Sequence, residues 1–207
     1  MDSSKTCALS VIYTCNAIEH KDQVPVGRFR LELGEALGED KKNLIPAADC
    51  VVPIPQSGMY YAMGLAKVIG VPYLQAIVKW NEKERTLSKN QDIRKNTMTK
   101  GLLLIPQFLE GRRVIIVDEA IFTGLTIKLV CEKLREAGVR EIHICIPTAP
   151  CIHPCPALPK KELISSHMSI PEMVEYFGAD SLTFQSEEMF DRMMKLQQND
   201  FCVDCFL

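Results

Sequence analysis

The chain has 207 residues, of which 47% are hydrophobic and 24% charged, and its formal net charge is -2. That length and balance suit one globular domain with a real hydrophobic core, and they argue against a nucleic-acid binder or a ligand of anionic membranes, since no basic run is present. No apolar stretch is long enough to span a bilayer and Met1-Asp2-Ser3-Ser4-Lys5 lacks the apolar core of a signal peptide, so a cytoplasmic protein is expected. In a reducing compartment the nine cysteines read as buried thiols or metal ligands rather than a disulfide framework, and their odd number agrees.

In chain order, an apolar stretch from Cys7 to Ala17 precedes a predicted helix from Val26 to Leu37, which Gly38 would end. Cys50 to Pro55 is a short apolar run, expected to be a buried strand stopping at its prolines, and Gln56-Ser57-Gly58 is a turn. Met59, Ala62, Met63 and Ala66 recur at helical spacing, closed by Gly70 and Pro72, and Tyr73 to Val78 reads as another strand. Residues 79–100 are polar and highly charged without a period; a segment that long is a functional flap or is disordered.

Val114 to Val117 is a fully apolar strand. Ile127, Val130, Cys131, Leu134 and Ala137 mark one face of the helix after it, Gly138 stops that helix, and Ile142, Ile144 and Ile146 alternate as a further strand. Strand–helix–strand order implies a parallel sheet with right-handed crossovers, whose ligands sit at the carboxyl ends of strands. The loops 56–58 and 118–126 both fall at such ends. Farther on, Ser169 and Glu172 have capping-box spacing for a helix through Phe177 ended by Gly178, and Ser186 would cap a helix through Leu196.

The loop Asp118-Glu119-Ala120-Ile121-Phe122-Thr123-Gly124-Leu125-Thr126 carries the most chemistry. Backbone N–H groups of Phe122 to Thr126 can face an anion at a helix start, the hydroxyls of Thr123 and Thr126 add donors, and Gly124 allows close approach. Asp118 and Glu119 would repel a phosphate unless a ribose diol or a hydrated Mg²⁺ lies between them. The combination suits a sugar phosphate carrying a metal-bound pyrophosphate. The plainer alternative is a βα turn in which Thr123 and Thr126 merely cap the helix.

Val114 to Thr126 resembles the phosphoribosyl pyrophosphate (PRPP) motif of phosphoribosyltransferases. The whole chain is similar to the synthase half of the glutamine PRPP amidotransferase family. The likeness includes Val51-Val52-Pro53-Ile54-Pro55-Gln56-Ser57-Gly58, Arg85-Thr86-Leu87, Leu134-Arg135-Glu136-Ala137-Gly138, His153-Pro154-Cys155, Glu175 to Leu182, and Phe201-Cys202-Val203-Asp204-Cys205-Phe206.

The resemblance implies a type I phosphoribosyltransferase fold: an α/β domain spanning 1–207, with a mostly parallel sheet flanked by helices. It also implies a flap over 79–100 and a helical, cluster-binding region over 151–207 that joins the termini. Asp118 and Glu119 would hold the ribose hydroxyls and Mg²⁺, and Phe122, Thr123, Gly124, Leu125 and Thr126 would cradle the 5′-phosphate. Ser57 would bind Mg²⁺ and pyrophosphate beside the Gly58 backbone, and Lys79 and Arg85 would close over the substrate. The implied reaction is displacement of pyrophosphate from ribose C1 by ammonia or another small amine, in a homo-oligomer.

Three departures from the family pattern stand out. The resemblance covers the synthase half alone, so the glutaminase half is expected to be absent, with ammonia drawn from solution or from a separate subunit. The motif reads Asp-Glu-Ala and Thr-Gly-Leu where the family has Asp-Asp-Ser and Arg-Gly-Thr. Gln56 stands at a usual Asp, and Trp80-Asn81-Glu82 replaces a more basic flap. Two alternatives therefore stay open: a non-catalytic PRPP or nucleotide sensor, and a detached synthase subunit of a two-component amidotransferase.

Cys202-x-x-Cys205 alone fits zinc, an iron–sulfur cluster or redox chemistry. The resemblance favours the iron–sulfur subgroup, with Cys7, Cys155, Cys202 and Cys205 at the four [4Fe–4S] ligand positions and zinc as the runner-up. Cys15, Cys50, Cys131, Cys145 and Cys151 read as buried small apolar residues.

Overall fold

The computed structural model describes residues 5–79, 101–155, 162–197 and 200–206. Its centre is a four-stranded parallel sheet. The strands are β4 (Cys50–Pro53), β7 (Arg113–Val117), β8 (Glu141–Ile146) and β9 (Ser181–Phe184), hydrogen-bonded in that order. Three crossovers contain a helix: α2 (Met59–Ile69) follows β4, α3 (Leu125–Glu136) joins β7 to β8, and α4 (Ile170–Phe177) joins β8 to β9. Helix α1 (Val26–Lys41) packs along α2, and α5 (Glu187–Lys195) packs on α1.

Val114, Ile115, Ile116 and Val117 are fully buried, as a β-branched run between two helical layers should be. The strand β8 was expected to alternate. Instead Ile142 to Ile146 are all buried, because β8 lies inside the sheet and both of its faces are covered. Ile115 and Val117 point into the core beside α1 and α2, whereas Val114 and Ile116 point into the core beside α3 and α4.

Several boundaries differ from the sequence reading. The first helix does not stop at Gly38 but continues to Lys41. Gly38 serves close packing instead: a Cβ there would lie 2.8 Å from Val68 Cβ on α2. Gly34 and Gly64 act together in the same way, each leaving room for the other helix's backbone. The strand expected over Tyr73–Val78 shrinks to a single parallel bridge from Tyr73 to Val51, followed by β5 (Ile77–Lys79). β5 pairs antiparallel with β6 (Leu102–Leu104), which the sequence reading missed, as it missed β9. The capping box at Ser169 and Glu172 is present, Gly178 ends α4 at φ 67°, and Ser186 accepts a hydrogen bond from Met189 N.

The apolar start becomes β1 (Thr6–Cys7) and one π-helical turn, Ser10–Thr14. A small hairpin follows, β2 (His20–Lys21) with β3 (Val24–Pro25). At the other end, β10 (Phe201–Cys202) lies parallel to β1, so the two ends of the chain meet. No helix among the described residues is long and apolar enough to cross a membrane.

Candidate active site

The site forms where β4 and β7 run out side by side. Pro53 pairs with Val117, so the turn after β4 and the loop after β7 leave the sheet at the same level. Ile54 N donates to Val117 O at 2.8 Å and ties the two loops together. The turn then continues through a cis peptide at Pro55–Gln56. Gly58 is needed for this approach, since a Cβ there would sit 2.3 Å from Val117 O; its own N–H is already given to Ile54 O at 3.0 Å.

Ser57 reaches across this junction and donates its hydroxyl to Asp118 Oδ1 at 3.2 Å. The same oxygen accepts from the Glu119 backbone N–H at 3.0 Å. Asp118 and Glu119 are only 6% and 5% exposed, and Glu119 Oε2 is buried without a hydrogen-bond partner. Burial first, and the neighbouring Glu119 second, hold the Asp118 carboxyl well above the usual carboxylate range. Two buried acids with an unpaired oxygen call for a cation or a hydroxyl pair.

That geometry fits Mg²⁺, which keeps several waters and uses one or two protein carboxylates together with substrate phosphates. The donor set present is two carboxylates and the Ser57 hydroxyl. Among the described residues no group of three or more His, Cys, Asp or Glu is arranged to hold a metal ion, so the remaining ligands would be substrate and water.

The loop expected to bind phosphate follows the acids directly. Gly124 adopts φ 73°, a left-handed conformation that glycine tolerates, and α3 begins at Leu125. The N-cap position is Gly124, so neither Thr123 nor Thr126 occupies it. The first N–H groups of α3 have no acceptor within the helix, as at any helix start. A Cβ at Gly124 would meet Phe177 Cε1 at 2.7 Å, and Ile164 N donates to Phe122 O at 2.9 Å. Residues 162–177 therefore support the loop from behind.

Two adjoining cavities serve these groups. One of about 970 Å³ is lined by Gln56, Ser57, Lys79, Asp118, Glu119 and Thr126, among others. The second, about 240 Å³, is lined by Asp118, Glu119, Phe122, Thr123, Gly124 and Thr126. Gly58 and Leu125 line neither, and Leu125 is 55% exposed. Arg85 and the stretch Trp80-Asn81-Glu82 lie outside the described residues.

The sequence reading missed one wall of the larger cavity. Tyr13, Thr14, Cys15, Asn16 and Ala17 form it, and the Tyr13 ring stands edge-on to Phe122. Arg30 builds this wall: it is 4% exposed and donates to Val11 O and Cys15 O, both at 2.8 Å. Tyr61 holds the neighbouring Ile12 O at 2.9 Å. The available signal was an arginine on the apolar stripe Val26, Phe29, Leu33, Leu37 of α1, where a charge needs a specific reason.

The cysteines of the termini gather elsewhere. Cys7 and Cys202 are register partners in the β1–β10 ladder, and Ile152 N and His153 N both donate to Cys205 O, at 2.9 and 3.2 Å. The Cys7 thiol is raised by burial and by the nearby Cys205, Cys155 and Cys202. The four expected thiols lie near enough to influence one another, yet among the described residues they form no group arranged to hold a metal ion. All nine cysteines are free thiols.

A parallel sheet with an acidic pair and a left-handed glycine at a helix start defines a phosphoribosyltransferase-type site. The Phosphoribosyl transferase domain family matches residues 40–179, and the chain belongs to that family. It is 31% identical over 98% of its length to amidophosphoribosyltransferase 1, chloroplastic, of Arabidopsis thaliana, covering 36% of that protein. It is 31% identical over 97% of its length to the amidophosphoribosyltransferase of Bacillus subtilis strain 168, covering 43%. Among solved structures it resembles the glutamine PRPP amidotransferase from B. subtilis complexed with ADP and GMP. There the TM-score is 0.84 at 30% identity, over 98% of this chain and 46% of that one. The chain thus spans about two-fifths of the length of the curated relatives it matches.

Proposed function

We propose that the chain is a PRPP-dependent phosphoribosyltransferase of the amidophosphoribosyltransferase type, acting as one domain over residues 1–207 in the cytoplasm. The observation that carries the reading is the unpaired, buried Glu119 Oε2 next to Asp118, a few residues before the left-handed Gly124 at the start of α3. In this reading the acids hold the 2′- and 3′-hydroxyls of the ribose. Thr123, Gly124 and Thr126, with the Phe122 and Leu125 backbone, hold the 5′-phosphate. Ser57 orients the pyrophosphate, and Lys79 and Arg85 cover it from the flap.

Mg²⁺, bound between these acids and the substrate, would neutralise the leaving pyrophosphate. The chain's own work is positioning: the C1–N bond to the incoming amine forms as the C1–O bond to pyrophosphate breaks. No covalent nucleophile is needed. The acceptor is ammonia or another small amine, delivered from solution or by a separate subunit, and the assembly is a homo-oligomer. We further read Cys7, Cys155, Cys202 and Cys205 as ligands of a structural [4Fe–4S] cluster that ties both chain ends to the middle.

The test is release of pyrophosphate from PRPP across a panel of amines, using anaerobically purified protein with Mg²⁺. Turnover with at least one amine supports the reading. PRPP binding without turnover supports the sensor alternative, which the exchange of an acid for Gln56 in the pyrophosphate turn favours. Turnover that appears only with a co-purifying ammonia-releasing enzyme supports the detached subunit.

A further inference from the structure

The large cavity has a wall that the phosphoribosyl chemistry above leaves without a task. Tyr13, Asp118, Glu119 and Thr126 line both cavities, whereas Thr14, Cys15, Asn16 and Ala17 line the large one alone. In the phosphoribosyltransferase reading the small cavity, with Phe122, Thr123 and Gly124, takes the 5′-phosphate, and the ribose lies at the junction over the shared acids. The pyrophosphate goes to the turn Pro55-Gln56-Ser57 on the large cavity. A single displacement at a sugar carbon brings the nucleophile to the ring face opposite the leaving group. By elimination, the stretch from Thr14 to Ala17 is left for the incoming amine.

A buried charge holds that stretch from behind. It follows a single π-helical turn, Ser10–Thr14, which has no side-chain cap; such turns are rare and concentrate at functional sites. Val11 and Ile12 are fully buried, so their carbonyls need partners from elsewhere in the fold. Arg30 on α1 supplies two bonds at once: Nε donates to Val11 O and Nη2 to Cys15 O, both at 2.8 Å, so one guanidinium brackets the turn. Tyr61 on α2 donates to Ile12 O at 2.9 Å. Gly27 N donates to Ala17 O at 2.9 Å, and a Cβ at Gly27 would lie 2.8 Å from that oxygen. All four bonds end on backbone carbonyls, and the Thr14 and Asn16 side chains stay exposed on the cavity side.

An arginine that is 4% exposed needs a specific use for its rigid fork. Holding a surface to which a reactant is aligned is such a use, since a misplacement of about 1 Å can cost about 10²-fold in rate. We propose that Arg30 is a positioning residue for the acceptor: with Tyr61, it fixes the Thr14–Ala17 wall against which the amine is aligned with ribose C1. The inference rests on the phosphoribosyltransferase reading of the site.

The experiment uses the full chain with Mg²⁺, as wild type, Arg30→Lys, Arg30→Ala and Tyr61→Phe, each checked for native folding by circular dichroism. Turnover is measured with the amine that the wild type uses best, and PRPP affinity by calorimetry without amine. Arg30→Ala should lose about 10²-fold in kcat/KM for the amine while PRPP affinity changes by less than about threefold. Arg30→Lys should lose nearly as much, because an ammonium keeps the charge but cannot span both carbonyls as the planar fork does. Tyr61→Phe should lose about tenfold or less, the worth of one hydrogen bond. Guanidinium ion added to Arg30→Ala should restore part of its loss and should do nothing for Tyr61→Phe. If Arg30→Ala does not fold, Arg30→Lys and Tyr61→Phe decide.

PRPP affinity that falls in step with kcat/KM in Arg30→Lys overturns the proposal, because Arg30 then supports the site as a whole. A wild type that turns over amines while Arg30→Lys and Tyr61→Phe match it overturns the proposal alone and leaves the phosphoribosyltransferase reading standing. A wild type that turns over no amine overturns both.

Discussion

The candidate active site and the cysteine-bearing chain ends are built on opposite principles. The first hangs from the carboxyl ends of two buried strands paired over four residues, and its loops are cross-tied by backbone bonds before any ligand arrives. The second joins three distant segments through two-residue strands and a pair of N–H bonds to Cys205. One is prepared by the core. The other has little local structure of its own and is joined by backbone bonds between its segments. The contrast teaches that a functional centre can borrow rigidity from a sheet or supply it to chain ends, and mutations should behave differently in each.

The largest expected effect is on catalysis. Asp118→Asn should cut PRPP turnover by roughly 10²–10³-fold, the range for losing one preorganised electrostatic contact. A steady-state assay checks it, and a change below threefold would break the comparison. Next, Cys202→Ala should reduce bound metal by about 10–100-fold, with smaller effect on PRPP binding. Metal analysis and PRPP titration of one preparation measure both.

A smaller change should separate support from chemistry. Gly124→Ala forces a Cβ toward Phe177 at a left-handed backbone position. It should cost about 1–3 kcal/mol of stability, as overpacking does, and weaken PRPP binding while sparing metal content. Chemical denaturation of the variant gives the figure.

The subtlest prediction is a pH effect. Asp118 binds its proton more tightly folded than unfolded, because burial and Glu119 oppose its charge. The folded chain therefore holds more protons, and wild-type stability falls as pH rises above the usual 3.8 toward the elevated folded value. Asp118→Asn removes this penalty. Its melting temperature without ligand should exceed that of the wild type at neutral pH, with the gap closing below the usual carboxylate range. A constant gap across that range would show that the acid carries no such strain. Asp49 should behave oppositely: Arg113 holds it down to about 2, so its contribution is present above 3.8 and is lost as pH falls through about 2.

Much of the candidate site's local structure was legible because its signals are local. A fully apolar strand, two acids, and a glycine before a helix lie within thirteen residues, from Val114 to Thr126. The wall from Tyr13 to Ala17 was not legible, since nothing in that segment names its partners. It is a wall only because Arg30 and Tyr61, from two different helices, reach its carbonyls. Gly38 was misread for the same reason: a glycine after an apolar run looks like a stop, and only the approach of Val68 reveals a packing residue.

By itself the amino-acid order determined the alternating strands and helices, the capping box at Ser169, and the acidic loop that leads into α3. Each depends on side-chain period or on backbone groups a few residues apart. Tertiary structure alone decided that Ser57 bonds to Asp118 across 61 positions, that Arg30 builds a cavity wall, and that Ile152 and His153 bond to Cys205. Such contacts arise from how layers pack, and packing is a property of the whole core rather than of any stretch of chain.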